Sequence, residues 1–316
     1  MPRVACLGEC MIELVERPDG LLSRGFGGDT LNTAVYLARL GVAVDYVTAL
    51  GTDPFSDEML LAWQGEGIGT GMVQRVEGRV PGLYLIQTDD AGERRFSYWR
   101  DSAPVRRLFD LPQAAEIEAA LAGYDLLYLS GITLSLFGDA GRERLLAVLD
   151  RLRANGGRVA FDTNFRPRGW PSLDAARTAY ERTLARSDVV LASVEDHALL
   201  SGSDTLATLA SRLRDAGAGE IVIKLPAPGC IVHAGGREIT VPTERVAATV
   251  DTTAAGDSFA AAYLAARLAG AEPDAAARSG HRLAGTVVRH RGAIIPHHAM
   301  PADVLAPRRR PASEEA

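Results

Sequence analysis

The sequence predicts an α/β protein: a doubly wound, mainly parallel sheet with helices on both faces, and a small β-sheet lid. Three observations carry this. Short, uniformly apolar runs alternate with helical patterns, as parallel strands covered on both faces require. Polar residues follow directly on a central apolar run at Asp162-Thr163-Asn164, where this architecture puts its ligands, at strand carboxyl ends. One stretch breaks the alternation, with two strand patterns and no helix between them.

In order, Val4 to Gly8 reads as a first strand. Thr30 to Leu40 reads as a helix from its apolar spacing, stopped by Gly41. Asp45 to Leu50 is a strand and about Pro54 to Gln64 a helix. Leu126 to Leu129 is a strand, followed by a helix from Gly138 to Asn155 that Gly156-Gly157 closes. Arg158 to Phe161 is a strand, Leu173 to Arg186 a helix, Val189 to Leu191 a strand and Leu206 to Ala216 a helix. Ile221 to Lys224 is a strand, and Gly256 to Leu268 and Ala275 to Arg289 are the last two helices. Right-handed crossovers between such strands give the doubly wound sandwich. Val80 to Ile86 and Arg94 to Trp99, joined across Asp90-Ala91-Gly92, form the exception, an antiparallel hairpin. With Met11 to Val15 it makes a lid drawn from about residues 9–16 and 80–100. The chain reads as one α/β domain over 1–306, with a disordered tail over 307–316.

At 316 residues, 47% hydrophobic and 23% charged, the composition is that of an ordinary soluble globular chain. The net charge of -6 argues against a nucleic-acid partner. No apolar run is long enough to span a membrane, and Met1-Pro2-Arg3 leads into a strand rather than a signal peptide. Cys6, Cys10 and Cys230 are too few for a disulfide framework and sit in apolar stretches, which predicts reduced thiols in a cytoplasmic protein. Lys224 is the only lysine; a general bias toward arginine explains the composition but not why this position escapes it.

The most informative stretch is Asp251-Thr252-Thr253-Ala254-Ala255-Gly256-Asp257, running into an apolar helix. Free N–H groups at a helix N-terminus attract phosphate. A carboxylate there is electrostatically comfortable and is expected to stay ionised. An acid beside a phosphate site is what phosphoryl transfer to a hydroxyl needs, because something must take the hydroxyl proton. Gly25-Phe26-Gly27-Gly28-Asp29-Thr30-Leu31-Asn32 enters the first long helix. It reads equally as a ligand loop, with Asp29 and Asn32 on hydroxyls, and as a turn in which Asp29 is the N-cap. Tyr84 and Tyr98 share strand parity in the hairpin, and Arg100 follows them. An aromatic face packing the lid explains part of this, while a planar guanidinium suits a carboxylate. Arg166, after the strand Arg158 to Phe161, is a second candidate clamp. Ser193-Val194-Glu195-Asp196 is either a capped helix start or a place for acids near a nucleotide's metal. Gly65 to Gly71 is a loop, not a G-x-G-x-x-G fingerprint, and no Walker A pattern occurs. His297-His298 and the cysteines have no metal spacing.

Together these residues resemble the ribokinase-like (PfkB) sugar kinases. Gly27-Gly28 through Asn32, Ala38-Arg39-Leu40-Gly41, Leu50-Gly51-Thr52-Asp53 and Asp251 to Asp257 carry the family likeness. Gly8-Glu9-Cys10-Met11-Ile12-Glu13-Leu14, Pro81-Gly82-Leu83-Tyr84, Tyr98-Trp99-Arg100, Leu129-Ser130-Gly131-Ile132 and Arg291 to Pro296 look like its keto-deoxygluconate kinases. The likeness runs to about Met300. It implies ATP-dependent phosphorylation of a sugar acid's 6-hydroxyl, with Asp257 as base and the amides of Ala254, Ala255 and Gly256 as anion hole. It implies Gly28, Asn32, Tyr84, Tyr98, Arg100 and Arg166 around the sugar, and ATP over Ser193, Lys224, Thr252 and Gly256. Mg²⁺ would travel with the phosphates, K⁺ could sit near Asp251, and a second copy could pair through the lid. Two departures stand out. Ala254 replaces a usual glycine, and Leu225-Pro226-Ala227-Pro228-Gly229 replaces the usual loop after the strand lysine, where proline removes an amide. The alternatives are a kinase of the same fold for a neutral sugar or nucleoside, and a non-catalytic sugar sensor; the missing glycine fingerprint disfavours a nicotinamide dehydrogenase.

Overall fold

The computed structural model describes residues 2–17, 19–88, 94–202, 205–225 and 229–305. Its larger sheet has nine strands. In spatial order they are Arg237–Pro242, Gly229–Ala234, Glu220–Lys224, Val189–Ser193, Arg158–Asp162, Leu126–Ser130, Arg3–Leu7, Ala43–Gly51 and Val73–Val76. From Glu220–Lys224 onward every neighbouring pair is parallel, and the two strands at the opposite edge run antiparallel. Val4, Ala5, Cys6 and Leu7 are each 0% exposed, as a strand apolar on both faces must be once helices cover both sides. One face packs under the helices Asp29–Arg39, Ala255–Leu268 and Pro273–Val287, the other under Asp139–Ala154, Leu173–Leu184 and Leu206–Asp215.

The chain leaves Arg3–Leu7 toward Ala43–Gly51 on one side and later returns at Leu126–Ser130 on the other. The strand order therefore reverses beside the first strand, and a crevice opens at the carboxyl ends there. Glu9, Gly28 and the start of helix Asp29–Arg39 follow directly from that end of the sheet.

The smaller sheet has four strands, ordered Leu22–Gly27, Met11–Glu16, Gly82–Thr88 and Arg94–Trp99. The antiparallel pairing expected of the hairpin is present, with Tyr84 opposite Tyr98 and Leu83 opposite Trp99. Its turn at Asp90-Ala91-Gly92 lies outside the described residues, as do Pro226-Ala227-Pro228 and the tail 307–316. Strands at Leu22–Gly27, Val73–Val76, Gly229–Ala234 and Arg237–Pro242 go beyond the sequence reading. The first is glycine-rich and reads as a turn until its partner, Met11–Glu16, is known. The three cysteines are buried and free.

Candidate active site

The site is built where two helix N-termini meet. Helix Asp29–Arg39 starts one residue earlier than a capping Asp29 would have it: Gly28 occupies the capping position and Asp29 is the first helical residue. That frees the Asp29 carboxylate to accept from Asn164 Nδ2 at 2.7 Å, tying the helix to the loop after strand Arg158–Asp162. One turn on, Asn32 Nδ2 donates to Asp257 Oδ2 at 2.8 Å across 225 residues of sequence. Thr33 Oγ1 adds a bond to the Asp257 carbonyl at 3.3 Å. The two glycine-containing stretches of the sequence are thus one assembly.

Helix Ala255–Leu268 begins from Ala254, whose φ of 58° lies in the left-handed region. Glycine meets that geometry without a Cβ penalty, whereas alanine holds it at a cost of about 1 kcal/mol. The Asp251 carboxylate organises the approach. One oxygen accepts from Thr253 N and Oγ1 at 2.9 and 2.7 Å, the other from Gly292 N at 3.0 Å. Thr252 is exposed at the mouth, and its carbonyl accepts from Ala255 N at 3.2 Å. The expected set of three free amides therefore loses one member. Ala255 N–H is committed to the turn, while no protein acceptor takes those of Ala254, Gly256 and Asp257 among the described residues.

Lys224 reaches this helix end from the last parallel strand. Its ammonium lies 3.1 Å from Asp162 Oδ2, and a Cβ placed on Gly256 would sit 3.4 Å from it. Burial opposes its charge, but Asp162 and Asp196 outweigh that and hold Lys224 above its ordinary range. Burial pushes Asp162 up, with Lys224 pulling it back. Ser193 is the strand neighbour of Lys224 and caps helix Val194–Ser201 by accepting from Asp196 N at 3.1 Å. The helix-start reading of this motif is the observed one, and the cap aims Asp196 at Thr163 Oγ1, 3.1 Å away.

Asp257 is not the comfortably ionised carboxylate that its place at a helix start suggests. Loss of water and then Asp29 push it up to about 8, against Asn32 and Lys224, which favour the charged form. Desolvation beside a like charge beats the helix dipole here. A carboxyl tuned toward neutrality is a stronger base when ionised, and so is better matched to taking a hydroxyl proton.

On the small sheet, Tyr84 and Tyr98 share a face, with rings 6.0 Å apart. Tyr84 is buried and its hydroxyl donates to Glu13 Oε2 at 2.5 Å; Tyr98 is 45% exposed. Arg100 has the same parity and touches buried Glu9, Nη2 to Oε2, at 2.5 Å. Arg166 turns elsewhere, to Asp196 Oδ1 at 3.3 Å, and its side chain is 58% exposed. The two arginines are joined by no contact among the described residues, so the expected clamp is not preassembled. Asp29, Asp162 and Asp196 lie in stretches that the sequence marks as site candidates, and Glu9 lies in a family-like motif, but the sequence assigns none of them the partner seen here: Arg100 for Glu9, Asn164 for Asp29, Lys224 for Asp162, and Thr163 and Arg166 for Asp196.

Comparison with known proteins decides the family. The pfkB family carbohydrate kinase profile matches residues 1–300. This chain belongs to the pfkB family of carbohydrate kinases. It is 48% identical over 309 residues to the 2-dehydro-3-deoxygluconokinase of Dickeya dadantii, covering 95% of this chain and 98% of the relative. It is 46% identical over 310 residues to the Escherichia coli K12 protein of the same name, covering 95% and 99%. Among solved structures, a Xylella fastidiosa fructokinase with bound ATP superposes with a TM-score of 0.81 at 26% identity, covering 96% of this chain and 97% of that one. The pfkB fold explains the two sheets and the meeting of helix N-termini between them.

Proposed function

We propose that this pfkB kinase transfers the terminal phosphoryl group of ATP to the 6-hydroxyl of 2-dehydro-3-deoxygluconate, the 2-keto-3-deoxy sugar acid. The observation that carries the reading is the 2.8 Å bond from Asn32 to Asp257, which joins the sugar loop to the phosphate loop at a carboxylate tuned toward neutrality. Close similarity to the two deoxygluconokinases supports the substrate.

In this reading Asp257 takes the hydroxyl proton. Asn32 orients it and stabilises the charged form beforehand. The free amides of Ala254 and Gly256, with Lys224 beside them, stabilise charge on the transferred group. Asp162 and Asp196 keep Lys224 protonated throughout. Gly28 lets the sugar approach the backbone, Tyr84 and Tyr98 flank it, and Arg100 receives its carboxylate. Arg166 is the second guanidinium and must leave Asp196 to join. Ser193, Lys224, Thr252 and Gly256 form the nucleotide side. No cluster of three or more candidate metal ligands exists among the described residues, so Mg²⁺ fits as a passenger on the nucleotide phosphates, with Asp162 and Asp196 the acids nearest Lys224. Positioning and charge stabilisation are nearly all that phosphoryl transfer asks of the protein. A monovalent cation beside Asp251 would neutralise the loop that Gly292 closes; replacing K⁺ by Na⁺ in the assay tests it. The thiols and the lack of a membrane-crossing helix among the described residues suit a cytoplasmic setting. On the small sheet Trp99 is 60% exposed, and Val80, just before the strand Gly82–Thr88, is 52% exposed, which suits pairing with a second copy, to be read by light scattering.

The deciding experiment offers the purified protein ATP with matched acidic and neutral sugars. Preference for the 2-keto-3-deoxy acid, with product phosphorylated at O6, is expected. A clear preference for fructose, ribose or a nucleoside overturns the reading.

A further inference from the structure

Glu9 has no part in the mechanism above, yet it is one of the most completely buried acids in the molecule, at 2% exposure. It follows the first strand at the crevice and is wedged in place. A Cβ on Gly82 would lie 3.0 Å from both Glu9 Oε1 and Arg100 Cβ, and a Cβ on Gly28 would collide with the Glu9 carbonyl. Glu9 therefore sits between the loop that approaches the sugar and the strand that opens the small sheet.

Its contact with Arg100 is unusual. Nη2 and Oε2 are 2.5 Å apart. Even so, both Glu9 oxygens and Arg100 Nε and Nη2 are buried without an aligned hydrogen bond. A stable structural ion pair directs its donors at its acceptors. This one is a close, poorly aligned charge contact, at a place where a third group must enter for the sugar carboxylate to reach Arg100.

We propose that Glu9 is the resident counter-ion of Arg100, displaced by the substrate: when the sugar's carboxylate takes the guanidinium, Glu9 gives it up and takes a proton from solvent. The balance is simple. One carboxylate replaces another on Arg100, and the charge that would be stranded on buried Glu9 is cancelled by one proton. Glu9 is thus a positioning residue: it keeps Arg100 in the pocket when empty and makes occupation by an anion proton-linked.

The surroundings favour this. Facing Glu9 are Arg100 from the end of the hairpin, Arg106 from the turn Pro104–Asp110, and Asp29 from helix Asp29–Arg39. Cys10 adjoins it, its thiol raised by burial and then by Glu9 and Glu13, and is neutral. Glu13 on the small sheet is engaged by Tyr84. Burial lifts Glu9 to about 7, with Arg100 and then Arg106 holding it down and Asp29 adding to the rise. A second carboxylate on Arg100 weakens the first restraint and adds a like charge, so Glu9 rises further. The sign follows. Below pH about 7 Glu9 is already largely protonated in the empty pocket and binding takes up little. Above it, binding takes up a proton and affinity for the acid falls as pH rises, toward about tenfold per unit.

The inference rests on Arg100 receiving the sugar carboxylate, and the test separates the two. Calorimetric titration of the sugar acid into the intact protein at pH ~8.5, in buffers of different ionisation enthalpy, counts protons taken up. About one proton per sugar is expected for the wild type and close to none for Glu9→Gln, whose KM for the acid should be lower there and lose its pH slope. Glu9→Asp should keep the proton uptake. Binding that needs Arg100 but takes up no proton in the wild type overturns the inference and leaves the substrate reading standing. The same holds for uptake that survives in a folded Glu9→Gln. Acid binding that is indifferent to Arg100→Met overturns the substrate reading itself.

Discussion

The two sheets do different work with different materials. At the carboxyl ends of the nine-stranded sheet, each buried charged group is bonded to a fixed partner: Asp257 to Asn32, Lys224 to Asp162, Asp251 to Thr253 and Gly292. On the four-stranded sheet the recognition side chains are partly exposed, as with Tyr98, or held by a single contact, as with Arg100. A reaction centre gains from groups that cannot move, because preorganised charge needs no rearrangement at the moment of transfer. A recognition surface must admit and release its ligand, and gains from groups with spare valences. In the proposed reading the difference assigns chemistry to the large sheet and choice of substrate to the small one.

Substitutions sharpen or break that division. The largest effect is expected at Asp257: Asp257→Asn should lower kcat by about 10²–10⁴-fold while leaving both substrates' dissociation constants nearly unchanged, as single-turnover assays and calorimetry would reveal. Near-normal turnover would remove the large sheet's claim to the chemistry. Arg100→Met should raise KM for the sugar acid by about 10²-fold, spare KM for ATP and leave neutral sugars untouched; an equal loss for neutral sugars would mean that the small sheet only covers the site. Asn32→Ala removes the bond that favours ionised Asp257, so the base's pKa rises above about 8 and the acid limb of the kcat–pH profile, where the base ionises, moves to higher pH. At neutral pH this should cost about tenfold in kcat, and an unmoved profile would separate the two residues. The smallest effect is at Ala254, where Ala254→Gly should add about 1 kcal/mol of stability by relieving the left-handed backbone, with activity retained. Thermal unfolding measures it, and a loss of stability would show that φ at this residue is not strained.

Much of this was legible in the sequence. Helix Asp29–Arg39 and strands such as Arg158–Asp162 announce themselves because burial on one or both faces imposes a period. The strand Leu22–Gly27 did not, since its burial and pairing come from a neighbour in another part of the chain. Single residues of the candidate site stood out where a motif marks a backbone requirement, as at Gly256 and Asp257. Pairings were not: nothing local indicates that Asn32 meets Asp257, that Lys224 meets Asp162 or that Arg166 leans on Asp196. The ionisation of Asp257 was misjudged for the same reason. A helix start is local information, whereas desolvation and the nearby Asp29 are products of the fold.

Helix Asp29–Arg39 touches the same functional region from both of its halves. Near its start Asn32 holds Asp257. One turn later Tyr36 donates to the Ala293 carbonyl at 2.7 Å, and after a second turn Arg39 reaches the Ile295 carbonyl at 2.6 Å, just beyond the glycine that closes on Asp251. The helix is in effect a gauge block, setting the spacing between Asp257 and the loop 292–295. Its length is therefore protected more strictly than its composition: an inserted residue would turn everything beyond it by about 100° and cannot satisfy both ends at once, while exchanges that keep the count are free to accumulate.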